Sequence, residues 1–303
     1  MSTLRGSFVA PQGPSGGAPQ DPFGVRLQAA MAEHGPLCAG IDPHRGLVES
    51  WGLAYDLAGV ERVTMTCVEA FGGAVAAVKP QSAFFEVFGA QGVALLERAL
   101  ADLRQAGTLT VLDVKRGDIG TTVDAYGEAF VGKDAPAPAD AITLSPYLGY
   151  GSLRPALDLA AQTGRGVFVL ALTSNPEGAQ VQHARLADGR SVAGAIADDA
   201  AADNADARSR GELGSVGLVV GATVGSAVRD LGVDLPAMAG PVLAPGLGAQ
   251  GATADDVRAV FAGALPQVLA SSSRDVLRAG PDVALLRARA REVAEQVAAI
   301  TTA

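Results

Sequence analysis

The chain has 303 residues, 49% hydrophobic and 18% charged, so it is globular and long enough for one large domain or two small ones. Its formal net charge of -9 argues against a nucleic-acid partner, which needs a basic stripe, but leaves room for an anionic small molecule in a locally positive site. Two cysteines in apolar contexts, Cys38 and Cys67, read as buried free thiols; with no zinc spacing, no secretory signal and no membrane-length apolar run, the expected setting is the cytoplasm with no membrane partner.

Residues 1–20 are rich in Gly, Pro, Ser and Gln and read as a flexible tail, with the folded domain expected over 21–303. Phe23 to His34 has helical apolar spacing at Val25, Leu27 and Met31. A pattern then begins and repeats. Leu37 to Ile41 is an apolar run closed by Asp42. A helical stretch through Phe71 leads to Ala74–Val78, closed by Lys79. Gln91 to Gln105 reads as a helix and leads to Leu109–Leu112. Further apolar runs follow at Ala141–Ser145, Val167–Leu172, Val216–Val220, Pro241–Ala244 and Gln267–Ala270. Helical stretches are expected near Leu153–Gln162, at Ser191–Ser209 and at Val283–Ile300.

Continuous short apolar runs are the mark of parallel strands buried on both faces. Eight of them alternating with helices, one about every 30 residues, predict a single-domain α/β fold of the (β/α)8 TIM-barrel kind. An open doubly wound sheet has the same periodicity and stays open as the alternative.

The organising stretch is Val111 to Thr122. Its strand ends in Asp113, Lys115 and Asp118, and alternate strand residues share a face, so Asp113 and Lys115 point the same way. Burying one charge costs several kcal/mol unless it is paired, so opposite charges on one face suggest a polar site. Asp42, Lys79 and Ser174 end other strands, and in a barrel such residues converge at the C-terminal rim. The seventh run leads into Pro245-Gly246-Leu247-Gly248-Ala249-Gln250-Gly251 and the eighth into Ser273-Arg274. Loops in those two places frequently bind phosphate: glycines expose backbone N–H groups, and arginine offers a fork of charged donors. His183, His44, Trp51, Phe84, Phe85 and Phe88 read as loop or packing residues, and Asp255 and Asp256 as the first turn of a helix.

Asp113-x-Lys115-x-x-Asp118-Ile119-x-x-Thr122, with Lys79 ending the preceding strand and the two loops just described, resembles the orotidine 5'-phosphate decarboxylase family. Thr173-Ser174-Asn175-Pro176 and Val220-Gly221-Ala222-Thr223 resemble its longer bacterial subgroup, type 2. The resemblance runs from about residue 25 to 300. It implies a cofactor-independent carboxy-lyase, with no metal, that converts orotidine 5'-phosphate to uridine 5'-phosphate and carbon dioxide. It further implies that Lys79, Asp113, Lys115 and Asp118 are catalytic, with Lys115 the proton donor. Asp42 is then implied to bind a ribose hydroxyl, Ser174 the pyrimidine, Gln250 both phosphate and base, and Arg274 the phosphate, with Gly246, Gly248, Gly251 and Ser273 in the phosphate loops. Asp118, Ile119 and Thr122 are implied to reach the neighbouring subunit's site in a homodimer. The loop after the seventh strand and the segment Ser174–Arg190 are expected lids.

Three alternatives remain beside this expectation. A magnesium-dependent phosphosugar decarboxylase or synthase of the same barrel group resembles it, but such enzymes carry a carboxylate where this chain has Lys79. A Schiff-base aldolase would need Lys115 as an uncharged nucleophile between acids that favour its ammonium form. A non-catalytic phosphoribosyl binder would not require four complementary charges.

Overall fold

In the computed structural model, which describes residues 20–246 and 253–301, each of the eight apolar runs forms a strand. These are β1 (Leu37–Ile41), β2 (Ala77–Pro80), β3 (Leu109–Arg116), β4 (Ala141–Leu144), β5 (Gly166–Leu172), β6 (Val216–Val220), β7 (Val242–Pro245) and β8 (Val268–Ser272). All pair in parallel with their sequence neighbours, and β8 returns to β1, so the sheet is a closed barrel and not the open doubly wound alternative. The expected N-terminal tail, apart from Gln20, lies outside the described residues, as do Gly248, Gln250 and Gly251.

The barrel interior is packed, not hollow. Cys38, Val111, Phe168, Leu243 and Leu269 form one buried cluster with Phe23 and Leu27. The last two belong to the helix Phe23–His34, which stops the N-terminal end of the barrel. The Phe23 ring meets Phe168 edge-to-face, 5.9 Å between centroids, a favoured geometry for aromatic pairs. Gly166 makes this closure possible, because a Cβ there would lie 2.2 Å from the Phe23 ring. Outside the strands, a larger core joins sheet to helices through residues such as Phe71, Leu100, Leu103 and Phe261. Both cysteines are buried and free, and burial pushes the Cys38 thiol up to about 12, against reactivity.

Several strands reach further toward their C-terminal ends than hydrophobicity predicts. β3 continues through Asp113, Val114, Lys115 and Arg116, and β8 continues through Ser271 and Ser272. Pairing of Asp113 with Lys115 and with Lys79 lets β3 carry its charges. The expected helix over 191–209 divides into Val192–Asp203 and Ala205–Ser209. Asn204 causes the break: its Nδ2 donates to the carbonyls of Val216 (2.8 Å) and Met238 (2.9 Å), and its Oδ1 accepts from the Val216 N–H (3.1 Å). A helix Gly120–Phe130, which the apolar pattern does not reveal, follows β3 and orients its first turn beside the rim. No helix among the described residues is long and apolar enough to cross a membrane.

Candidate active site

At the C-terminal mouth of the barrel lies a cavity of about 330 Å³, within the range of small-molecule sites. Asp42, Lys79, Asp113 and Lys115 line one side; Ser174, Gly246, Ser273 and Arg274 line the other. These eight residues come from the ends of six different strands, so the fold gathers what the sequence scatters. Asp118, Ile119 and Thr122 do not line it. Asp118 turns back on the chain, its Oδ1 accepting from the Ile119 N–H at 2.8 Å, and Ile119 is 62% exposed.

Asp113 is the hub. Its Oδ2 accepts from Lys79 Nζ (2.9 Å) and Gln81 Nε2 (3.0 Å). Its Oδ1 accepts from Lys115 Nζ (2.6 Å) and the Thr143 hydroxyl (2.8 Å). Four donors thus fill a carboxylate that is only 5% exposed. Burial alone pushes the Asp113 carboxyl up; the ammonium groups of Lys79 and then Lys115 overcome that and hold it down at about 2. Burial likewise disfavours the Lys79 ammonium, yet Asp42 and Asp113 more than offset this and raise it above the ordinary lysine value. Lys79 is therefore a permanent, buried cation at neutral pH.

Lys115 differs. Its side chain is 45% exposed, so it reaches from the buried carboxylate into the open part of the cavity. Its backbone has φ +46°, the left-handed region that non-glycine residues avoid at a cost on the order of 1–3 kcal/mol. The register between β3 and β4 shifts there: Leu112 faces Ile142, while Arg116 faces Leu144. Asp113 and Lys115 both line the cavity and bond to each other, as residues on one face should, but the backbone that brings Lys115 there is a bulge and not a regular alternation.

Asp42 sits beyond the end of β1, its Oδ1 4.0 Å from Lys79 Nζ. That oxygen is buried and has no hydrogen-bond partner among the described residues. A buried unpaired acceptor costs free energy until something donates to it, and Asp42 is among the residues that line the cavity. Gln81 and Thr143 went unnoticed in the sequence. Gln81 bridges β2's continuation to Asp113, a pairing that continues the β2–β3 ladder. Thr143 lies inside the apolar run of β4 and is 1% exposed; the one available signal was a hydroxyl at a position the barrel buries.

Between the neighbouring strands β1 and β8, Gly40 lets the rim close up, since a Cβ there would fall 1.8 Å from Ser273 Oγ. Arg274 opens a short turn Arg274–Leu277 and has no ion-pair partner among the described residues. The next residue, Asp275, is gripped by both its oxygens on Arg289 Nη2 (2.9 and 2.8 Å) from the long helix Val283–Thr301, which fixes the turn that presents Arg274.

The bland readings of the remaining residues hold. His44 caps the helix Arg45–Ser50, its Nδ1 accepting from the Leu47 N–H at 3.2 Å. Trp51 is buried and donates to the Leu277 carbonyl at 3.1 Å. Phe85 is fully buried, Phe88 packs on Tyr55, and His183 is exposed. Asp255 and Asp256 open the helix Ala254–Val260, where Asp256 and Thr253 form a capping box.

Comparison with known proteins agrees with this geometry. Residues 35–288 match the family model described as Orotidine 5'-phosphate decarboxylase / HUMPS family. The chain is 60% identical over 280 residues to the orotidine 5'-phosphate decarboxylase of Salinispora arenicola, covering 92% of this chain and 98% of that protein. It is 55% identical over 284 residues to the protein of that name from Streptomyces coelicolor, covering 93% and 99%. Among solved structures, one from Streptomyces avermitilis superposes with a TM-score of 0.89 at 54% identity, covering 94% of this chain and 98% of that one. The OMP decarboxylase of Leishmania donovani superposes at 0.69 with 33% identity, covering 91% and 98%. Identity at this level over nearly the full length, joined to a closed barrel whose rim gathers Lys79, Asp113 and Lys115, places the chain in the orotidine 5'-phosphate decarboxylase / HUMPS family.

Proposed function

We propose that this chain decarboxylates orotidine 5'-phosphate to uridine 5'-phosphate in pyrimidine biosynthesis, in the cytoplasm. The observation that carries this reading is the Lys79–Asp113–Lys115 array in a cavity that is also lined by Arg274, which has no ion-pair partner among the described residues. Within the family, a magnesium-dependent activity would want a carboxylate where Lys79 stands; an ammonium there repels a dication.

In this reading Arg274, Ser273 and the backbone at Gly246 hold the phosphate, joined by Gly248, Gln250 and Gly251, which lie outside the described residues. Asp42 accepts from a ribose hydroxyl, which satisfies its orphaned oxygen. Ser174 contacts the base. The substrate carboxylate then lies against Asp113. As the C6–carboxylate bond breaks, carbon dioxide departs and the electron pair stays on C6. Lys115 places a positive charge where this negative charge develops, then donates its proton to C6 and recovers one from water. Fixed charge aimed at a developing charge is the largest single term in many enzymes, and it needs no reorganisation at the moment of reaction. Binding of the phosphate, remote from C6, supplies free energy for closing the segment Ser174–Arg190; the other expected lid, the loop after β7, lies outside the described residues.

The direct test follows the loss of orotidine 5'-phosphate absorbance with pure protein, no added cofactor, and excess chelator. Turnover unaffected by the chelator is expected; absent turnover, or turnover restored only by a divalent cation, overturns the reading.

We also propose a homodimer in which Asp118, Ile119 and Thr122 complete the partner's site. Their position outside the chain's own cavity supports this, as does the exposure of Ile119 (62%), Tyr147 (76%) and Leu148 (53%) on neighbouring rim loops. Lys115→Ala and Asp118→Ala should each be inactive alone. Mixed in equal amounts and allowed to exchange subunits, they should recover about a quarter of wild-type activity, because half the dimers then hold one intact site. No recovery despite proven exchange would place Asp118 in its own chain's site or outside catalysis.

A further inference from the structure

We infer that Thr143 is a positioning residue for the reaction: its hydroxyl ties the backbone of Lys115 to the carboxylate of Asp113 and so aims the proton donor. The inference rests on the functional reading above.

Thr143 Oγ1 accepts from the Lys115 N–H at 3.0 Å and donates to Asp113 Oδ1 at 2.8 Å. A hydroxyl carries one proton. Since a lone pair receives the Lys115 N–H, that proton is committed to Asp113, and the rotor is fixed in one orientation. The same Oδ1 takes Lys115 Nζ at 2.6 Å. Lys115 is therefore held at both ends, main chain and ammonium, through one oxygen of Asp113 and one hydroxyl of Thr143.

The need for such a tie lies in the bulge. Four steps along β3, from Leu112 to Arg116, face only two along β4, from Ile142 to Leu144, and Thr143 stands opposite the extra residues. The regular ladder is broken there, so the Lys115 N–H donates to a side-chain hydroxyl. With φ at +46°, Lys115 would relax toward ordinary extended backbone without that bond, swinging its side chain away from the cavity. Packing alone does not ask for a hydroxyl here. Leu170, Val219 and Leu243 line the adjacent wall of the cavity with apolar side chains, and valine would fill the volume of Thr143.

The test compares Thr143→Val, which keeps the shape and loses the hydroxyl, with Thr143→Ser, which keeps the hydroxyl. Thr143→Val is expected to lower kcat about 100-fold, the scale of a misplacement near 1 Å, with KM for orotidine 5'-phosphate within about threefold of wild type. Thr143→Ser is expected to stay within about threefold in both constants. Thr143→Ala serves as a second hydroxyl-free variant and should match Thr143→Val. Hydrogen exchange at the Lys115 amide gives a readout independent of turnover: it should accelerate at least about tenfold in Thr143→Val and not in Thr143→Ser. Unchanged kcat in Thr143→Val, an equal loss in Thr143→Ser, or a loss confined to KM overturns the inference. Faster exchange in Thr143→Val with a wild-type protein that fails to decarboxylate would instead leave the tie in place and overturn the functional reading.

Discussion

Lys115→Ala is expected to lower kcat by at least about 10⁴-fold while uridine 5'-phosphate still binds within an order of magnitude of its wild-type affinity. Two separable contributions vanish together: the cation beside the developing charge at C6, and the acid that protonates it. A positioned general acid alone is worth about 10²–10⁴ in rate, and an oriented electrostatic donor about 10²–10³. The ground state loses little, because the product has no charge at C6 and its phosphate, in the proposed arrangement, is held across the cavity by Arg274 and its neighbours. Stability should also change little. The Lys115 side chain is 45% exposed, and its partner Asp113 keeps Lys79, Gln81 and Thr143. The decisive measurement pairs single-turnover rates with calorimetric binding of uridine 5'-phosphate. Retained turnover removes Lys115 from the chemistry. Equal loss of rate and of nucleotide affinity would make it a binding residue with no special claim on the transition state.

The barrel was legible because its strands are buried on both faces and so advertise themselves as apolar runs. The ends of those strands were less legible for a related reason. Asp113 and Lys115 read as one face at the end of an apolar run that stops at Leu112, with no sign of what pairs them; the structure keeps them in β3 by pairing them with each other and with Lys79. Pairing between residues 34 positions apart leaves no trace in local pattern. Thr143 was hidden for the opposite reason, since threonine suits a strand and raises no alarm within Ala141–Leu144. The helix Gly120–Phe130 begins Gly-Thr-Thr, weak helix formers, and is held by its packing against the helix Arg154–Gln162. The left-handed Lys115 is of a third kind. No propensity predicts a lysine at φ +46°; only a fold that closes around it imposes that backbone, and such strain accumulates where side chains must be aimed.

Asp113→Asn tests the other half of the array and is expected to cost both rate and stability. In the wild type the carboxylate lies between two ammonium groups, and Lys79 is only 8% exposed at its side chain. An amide of the same shape keeps the volume but leaves Lys79 with Asp42, 4.0 Å away, as its remaining counter-charge. Removing one partner of a buried pair, softened here by Asp42 and by the hydration open to Lys115, should destabilise the fold by roughly 2–3 kcal/mol at neutral pH. The sign of the pH dependence follows from the carboxyl itself. Asp113 in the fold is held at about 2, below its ordinary value of 3.8. Its stabilising contribution is therefore complete above about pH 5 and is lost as pH falls through about 2, below which folded and unfolded chains both carry it protonated. The gap in unfolding free energy between wild type and Asp113→Asn should thus be constant from neutral pH down to about pH 5 and shrink below about pH 4. On the rate, kcat should fall at least about 10³-fold, since Lys115 loses the acceptor that fixes its ammonium and the array loses its alternation of charge. Binding of a carboxylate-bearing analogue should tighten relative to uridine 5'-phosphate, because the repelling charge is gone. A stability gap that persists unchanged to pH 2 would show that shape, not ionisation, is what Asp113 contributes. An analogue affinity that moves in step with that of uridine 5'-phosphate would remove Asp113 from the vicinity of the departing carboxylate.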